Sequence, residues 1–356
     1  MNNHQTNTKN TFSSIIELLK PLDETNLVIV KSFISTLLEN IEERKNAEKE
    51  LIRDETYKNL VCPKCKSTNV KKNGTKNEKQ RYRCNDCHYV FTLNSHTSLK
   101  YTKLSFDKRY EFVDMSQYDM SLLSIASRIK VSLPTTFLMR HKLFETLKFF
   151  QNSLILSGNI YADELYFPRN CKDGSSLDYR NSRKHGSDKK EIENRRKDQI
   201  IVMMAFDDEG HCLLKRIKTG SNKSEQMDKF FRKRVKDNST LYTDGYRHYK
   251  TIAELINAVH IADKGTSDMT EEHQRINDFS SSVKRFINDI HKGVSTKYLQ
   301  SYLNWYSFLY FINHQTDDIK KTLIKILSHL LSSAITITRR ELYSRGRKKR
   351  KSNPLV

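Results

Sequence analysis

Glycine and proline are scarce, ten and five in 356 residues, which excludes collagen-like and Pro/Gly-rich low-complexity chains. No apolar run approaches the ~18–20 residues of a membrane span, and the polar start MNNHQTNTKN has no secretory hydrophobic segment. The expectation is a chain with no membrane partner. Six cysteines are too few for a disulfide scaffold at this length. Four of them stand in two tight pairs, which suggests metal in a reducing compartment. Acidic residues are short as well: 42 against 63 Lys and Arg, a net charge of +21. With 37% hydrophobic and 29% charged residues, the chain is globular and long enough for two or three cores.

The positive excess is gathered rather than spread. Residues 1–60 carry 8 basic and 10 acidic groups, residues 61–100 carry 9 and 2, and residues 301–356 carry 11 and 3. Two basic blocks point to a polyanion, and nucleic acid is the expected partner.

Residues 11–55 read as two helices with Pro21 and Asp23 between them. Leu27, Ile29, Val30, Phe33, Ile34, Leu37, Leu38 and Ile41 fall at helical spacing and are assigned to core packing. ENIEERKNAEKE reads as a solvated extension or linker. Next come Cys62-Pro-Lys-Cys65 and, eighteen residues on, Cys84-Asn-Asp-Cys87. Two thiolates on a tight knuckle point at one ion, and two knuckles complete a tetrahedron, so the spacing predicts a zinc ribbon. Lys64, Lys66, Lys71, Lys72, Lys76, Lys79, Arg81 and Arg83 would line its surface. Residues 105–150 read as all-helical. SLLSIASRIK, a turn at Val131-Ser132 and PTTFLMRHKLFETL have the cadence of a helix-turn-helix, with Thr135, Thr136, Arg140, His141 and Lys142 offered to bases or phosphates.

From about residue 157 the rhythm becomes strand-like: NIYADELYF, IIVMMAFD, HCLLKRIK and TLYTD, with helical patterns interleaved and following, an α/β order with one mixed sheet. Arg169–Asp198 between the first two strands is a polar insertion expected to be mobile, as is the basic tail after Thr338. Two strands deliver carboxylates, Asp163 with Glu164 in the first and Asp244 at the end of TLYTD. A strand points Asp163 and Glu164 to opposite faces, so one of them can share a metal site with Asp244, and spacing alone does not choose. Asp244 before Gly245 also suits a turn cap. Asn277 and Lys284 are seven residues apart, about 700° of helix, and so share a face. Cys171 and Cys212 read as free thiols, His248, His260 and His273 as surface or packing residues, and Trp305 with its tyrosines as core.

CPKC…CNDC, ADELYF, YTDGYRHY, INDFSSSVK and GVSTKYLQSYLNWYSF together resemble a bacterial insertion-sequence transposase. The likeness is to the zinc-ribbon group numbered fifteen-ninety-five and covers roughly residues 60–315. It implies a multidomain α+β chain. The order would be a helical segment (1–58), a zinc ribbon (59–100), helix-turn-helix-like helices (101–152), an RNase H-like catalytic domain with a mixed sheet (153–315), and a C-terminal helix with a basic tail (316–356). The catalytic set of that group falls on Asp163, Asp244, Asn277 and Lys284, favouring Asp163 over Glu164. The first three would hold Mg²⁺ or Mn²⁺, and Lys284 a phosphate. Cys62, Cys65, Cys84 and Cys87 would hold structural Zn²⁺. Lys71, Lys72, Arg81, Arg83, Arg140, Lys142 and Lys284 would contact DNA. The resemblance further implies strand cleavage and transfer at terminal inverted repeats by a synaptic homodimer or larger complex in the bacterial cytoplasm, at the nucleoid. The alternative is a zinc-ribbon DNA-binding protein whose catalytic domain is inactive, since a neutral Asn277 draws metal less strongly than a carboxylate.

Overall fold

A computed structural model of the chain describes residues 17, 19–58, 60–76, 79–95, 97–100, 102–170, 199–217, 223–263, 270–316, 319–333 and 335–344. Two compact units are present, Met1–Leu60 and Val61–Val356. The polar insertion from residue 171, the basic tail from residue 345 and most of the first expected helix lie outside the described residues.

The first unit holds one long helix, α1 (Glu24–Lys58). The stretch read as a linker therefore continues the helix, as its Glu, Lys and Ala content favours. The core assignment of its apolar residues is corrected: Leu27, Ile29, Phe33, Ile34, Leu37 and Leu38 are all exposed, Phe33 by 64%.

In the second unit, β1 (Val70–Lys76), β2 (Lys79–Cys84) and β3 (Val90–Phe91) form an antiparallel sheet in the order β1-β2-β3. Buried Tyr82 and Phe91 make its small core beside Cys62 and Cys84. Three helices follow, α2 (Phe106–Gln117), α3 (Leu122–Arg128) and α4 (Leu133–Thr146). Ser105 caps α2 and Ser121 caps α3 through their hydroxyls, satisfying amides that the first turn leaves open. Pro134 sits in the first turn of α4, while the Ser132 hydroxyl pairs with that of Thr135 (2.8 Å) instead of a backbone amide.

The remaining strands are β4 (Asn159–Pro168), β5 (Gln199–Asp207), β6 (Cys212–Arg216), β7 (Thr240–Asp244) and β8 (Val259–Asp263), ordered β6-β5-β4-β7-β8. The first three in sequence are antiparallel neighbours, whereas β7 lies parallel to β4 and β8 parallel to β7. This three-antiparallel, two-parallel order is that of the RNase H-like fold, as expected. Helix α5 (Lys223–Phe231) connects β6 to β7, and α6 (His248–Leu255) connects β7 to β8. Their residues Met227, Phe231, Tyr249 and Ile252 pack on Ile160, Ala162, Met203, Ala205 and Leu241 of one sheet face. Helix α7 (Glu271–Arg285), capped by the Thr270 hydroxyl, covers the other face. There Phe279 stacks on Phe206 at 4.1 Å, and the Ser280 hydroxyl meets the Met204 sulfur at 3.5 Å. The sequence pattern misses β8, whose Val259 and Ile261 alternate as a strand requires but stay exposed at the sheet edge.

Helix α8 (Leu299–Gln315) lies on β6, and α9 (Ile319–Ser332) and α10 (Arg339–Ser344) return to the helices after the ribbon. Trp305 is buried on α8 as expected, 5.6 Å from the ring of Phe144 on α4. No helix among the described residues is long and apolar enough to cross a membrane.

Candidate active site and nucleic-acid interface

The two cysteine pairs converge. Cys62 lies 3.5 Å from Cys87 and Cys65 lies 3.5 Å from Cys84, sulfur to sulfur. All four sulfurs fall within 4.8 Å of one another. Four Zn–S bonds of about 2.3 Å in a tetrahedron need sulfurs just under 4 Å apart, so the donors fit the ion. Each knuckle turns back on the residue after its second cysteine, Lys66 (φ 65°) and His88 (φ 57°), left-handed positions that cost a non-glycine residue energy. Burial alone would raise the Cys62 thiol, but backbone amides of Cys65 and Lys64 and the facing thiols bring it down to about 6. Cys65 is shifted the other way, to about 12: the Ser67 amide lowers it, but the neighbouring thiols and burial raise it more. Without metal this knuckle thus stabilises the Cys62 thiolate and not both, and a cation is what would hold the second thiolate.

The carboxylates are organised by strand register. Between β4 and β7 the ladder ends at Tyr161 opposite Tyr242, whose rings stack at 5.3 Å. Two residues further on, the same register brings Asp163 level with Asp244. Side chains two apart share a face, so both carboxylates lie on the face of that tyrosine pair. Asp163 is also paired across β5 with Met204, the residue that Ser280 of α7 touches. This is the face covered by α7, with Asp244 at the carboxyl end of β7 and Asp163 in the middle of β4, just past the stretch that pairs with β7. Glu164 points the other way, buried, and accepts from the Tyr249 hydroxyl at 3.4 Å.

On α7, Ile276, Phe279, Ser280 and Val283 are buried. Asn277 is half-buried and Lys284 exposed, on one flank of that buried stripe. Asp278 is exposed about 100° further round and accepts from Gln274 at 2.8 Å, directed away from that flank. Arg275, on the other flank, donates to the Tyr161 hydroxyl (2.7 Å) and to Asp208. This brace fixes the start of α7 on the sheet. No spacing rule singles out Arg275, because its partners come from β4 and from the turn after β5.

Electrostatics tie the flank to the strands. Burial raises the Asp163 carboxyl to about 6. The Glu164 amide opposes this, the Asp244 and Glu164 charges add to it, and the Lys284 charge opposes it. Asp163 therefore feels Asp244 and Lys284 from opposite signs, as neighbours do. Burial, then the charges of Glu164, Asp163 and Asp244, also push Tyr249 well above its ordinary 10. Asp163 accepts from the Glu164 amide (2.7 Å), and Asp244 caps the following turn through the Tyr246 amide (3.1 Å). The turn-cap role and a ligand role are compatible, since each carboxylate keeps a second oxygen.

The basic residues divide. Lys71 and Arg83 lie directly opposite each other in the ribbon sheet, both exposed, and Lys72 is exposed across from Tyr82. Like charges facing across strands are unfavourable unless an anion lies over them. Arg81 is half-buried. Arg140 and Lys142, expected at a DNA surface, are instead buried, each 3% exposed. Arg140 donates to the Met120 carbonyl at 2.7 Å. Lys142 donates to the carbonyls of Ser98 (3.0 Å) and Lys100 (2.9 Å) and to the Thr336 hydroxyl (2.8 Å). Burial pulls its ammonium below the ordinary 10.5. Lys142 thereby ties the segment after the ribbon to the C-terminal segment, and Arg140 ties α4 to Met120 just before α3, on a helix that α8, α9 and α10 cover. Lys142→Met is expected to cost about 2–4 kcal/mol by leaving buried acceptors open, read as a lower urea midpoint. A midpoint equal to that of the wild type would refute this role.

Residues 155–310 match the ISXO2-like transposase domain, and residues 58–88 match the InsA N-terminal domain, a zinc ribbon. No curated protein matches the chain. Solved structures with some similarity include the "Mos1 transposase paired-end complex with left transposon end", at 10% identity over 62% of this chain and 79% of that one, TM-score 0.27. The "Crystal structure of the Mos1 mariner paired end complex with Mn" is similar at 10% identity over 62% and 78%, TM-score 0.27. The fold assignment rests on the strand order, not on these remote likenesses. Residues 155–310 therefore form an ISXO2-like transposase domain, that of the insertion-sequence group numbered fifteen-ninety-five, and an InsA-type zinc ribbon at residues 58–88 precedes it.

Proposed function

We propose that the chain binds the ends of an insertion sequence and catalyses divalent-metal-dependent cleavage and joining of DNA strands. The observation that carries this is the parallel register of β4 and β7, which, carried two residues past Tyr161–Tyr242, sets Asp163 level with Asp244, together with the charge of Asp244 felt at Asp163. A half-buried carboxyl raised to about 6 by burial and by a second carboxylate is destabilised in its charged form unless a cation joins it. Asp163, Asp244 and the Asn277 amide oxygen suit Mg²⁺ or Mn²⁺, which take oxygen ligands. When bound, such ions supply Lewis-acid stabilisation of the attacking and leaving oxygens of an in-line displacement. Asp163 and Asp244 fix the donor face, Arg275 fixes the helix that carries Asn277, and exposed Lys284 binds a phosphate of the DNA next to the scissile one. The proposed division is end recognition by residues 1–152, chemistry by 153–315, and phosphate binding by the ribbon and the basic tail. Two ends must be held together, so a synaptic homodimer is the proposed working form. The test is cleavage and joining of duplexes carrying the repeats that flank the reading frame, with and without Mg²⁺. DNA binding with no metal-dependent chemistry would favour an inactive derivative with a neutral Asn277.

The raised Asp163 pKa makes a second prediction. Its folded value, about 6, lies above the ordinary 3.8, so the metal-free fold favours the protonated form. Stability present below about pH 4 is lost as the pH rises through about 6. At about pH 7.5 without metal, Asp163→Asn should therefore melt higher than the wild type, and the gap should close in acid. Millimolar Mg²⁺ should raise the wild-type melting temperature more at pH 7.5 than at pH 5, and the variant's at neither. Thermal melts across pH check this, and a variant that melts below the wild type at pH 7.5 would refute it.

A further inference from the structure

Helix α10 and the start of α4 meet, although nearly two hundred residues separate them in the chain. The Tyr343 ring lies 6.2 Å from Phe137, one turn inside α4. The Tyr298 hydroxyl holds the Leu342 carbonyl (3.4 Å), and Leu342 is fully buried. Arg339 lies over the Tyr343 ring at 5.7 Å, and Arg339, Arg340 and Tyr343 are exposed. The one acidic side chain of α10, Glu341, is turned back to accept from the Thr338 amide and hydroxyl, both at 2.7 Å. On the α4 side, most of the helix is buried from Thr136 to Thr146, while Ser132, Leu133 and Pro134 are exposed. Just before them stand exposed Arg128 and Lys130. Lys108 of α2 donates to the Lys130 carbonyl at 3.3 Å, which adds a third cation at that turn. Asp107 is the exposed acidic residue in the same first turn of α2.

We infer that these pieces form one duplex-binding face. The end of α3 and the turn after it contribute Arg128 and Lys130, α2 contributes Lys108 through its bond to the Lys130 carbonyl, and the docked helix α10 contributes Arg339 and Arg340. The inference rests on the DNA-binding reading above and moves the contact away from Arg140 and Lys142, which are inside. Four of the exposed side chains here are cationic, Arg128, Lys130, Arg339 and Arg340, beside the acidic Asp107 and the apolar Leu133 and Tyr343. The Tyr343–Phe137 contact brings the helix that carries two of the cations to the start of α4. A duplex presents about one charge per 1.7 Å of axis, dense enough to meet all of them at once.

Three full-length variants test this on a duplex of about 40 bp carrying the flanking repeat: Lys130→Ser, Arg128→Ser and Arg339→Ser/Arg340→Ser. The double variant should bind about tenfold or more weakly near 0.1 M salt, and its slope of log K against log salt should fall by about 1.8, about 0.9 for each lost phosphate contact. Hydroxyl-radical footprints should lose protection at adjoining phosphates for Lys130→Ser, Arg128→Ser and the double variant, with melting temperatures unchanged. Unchanged affinity and slope, or lost protection at separate stretches of the duplex, would overturn the face. Metal-dependent cleavage that persists in that event would leave the transposase reading standing, so the two fail separately.

Discussion

Asp244→Ala is expected to lower strand cleavage on end-containing duplex by three orders of magnitude or more while leaving DNA affinity within about twofold. The carboxylate sits at the tip of β7, where its strand ends and its turn begins, so its removal takes away little packing. One of its oxygens caps the Tyr246 amide, a local bond worth about 1 kcal/mol. The loss to chemistry is larger, because a ligand that positions a divalent ion supports several kcal/mol of transition-state stabilisation, and 1.36 kcal/mol is tenfold in rate. Single-turnover cleavage with Mg²⁺, beside binding measured in Ca²⁺, separates the two effects. Asp163→Ala should behave alike in rate. Activity of Asp244→Ala equal to that of the wild type would remove the proposed site altogether. A comparable loss in Glu164→Gln, through Tyr249 and the opposite face, would mean that packing rather than ligation is being measured.

The site was legible in the sequence for a specific reason. A strand alternates, so a charged residue within an apolar strand announces a face that needs a partner, and Asp163 and Asp244 each end up beside the other. What alternation did not decide was which of Asp163 and Glu164 shares that face. The family resemblance chose Asp163, and the Tyr161–Tyr242 register and the Ser280–Met204 contact place that residue under α7. The helix-turn-helix was legible as two helices and a turn but not in its orientation. Arg140 and Lys142 look like phosphate contacts because a buried lysine and a solvated one are spelled alike. The difference lies in carbonyls of Ser98 and Lys100, over 40 residues earlier, and in a hydroxyl nearly 200 residues later. The same blindness to distant partners hid Arg275 and the meeting of α10 with α4. In α1 the failure ran the other way: helical spacing was correct, but spacing says only that apolar residues share a stripe, not that anything in the same unit covers it.

Removing the ribbon metal should unfold residues 62–91 while leaving the catalytic sheet intact. The ribbon buries little beyond Tyr82, Phe91 and its own inner cysteines, an amount of apolar surface worth only a few kcal/mol. Against this stand left-handed residues at both knuckles and exposed cations in cross-strand pairs such as Lys71 with Arg83. Structural zinc contributes about 10–16 kcal/mol in small domains, far more than the apolar core supplies, so metal binding and folding of the ribbon become one event. The sheet built on β4 and β5 shares no ligand with it and has its own core. A chelator or Cys84→Ser should therefore abolish amide protection across β1, β2 and β3, with protection of β4 and β5 unchanged. DNA affinity should fall at least tenfold and its salt slope should flatten, because Lys71 and Arg83 are no longer held together on one face of the sheet. Ribbon amides that stay protected after the zinc is gone would mean that the fold of the knuckles does not depend on the metal. The cysteines would then need another explanation than the tetrahedron their sulfurs describe.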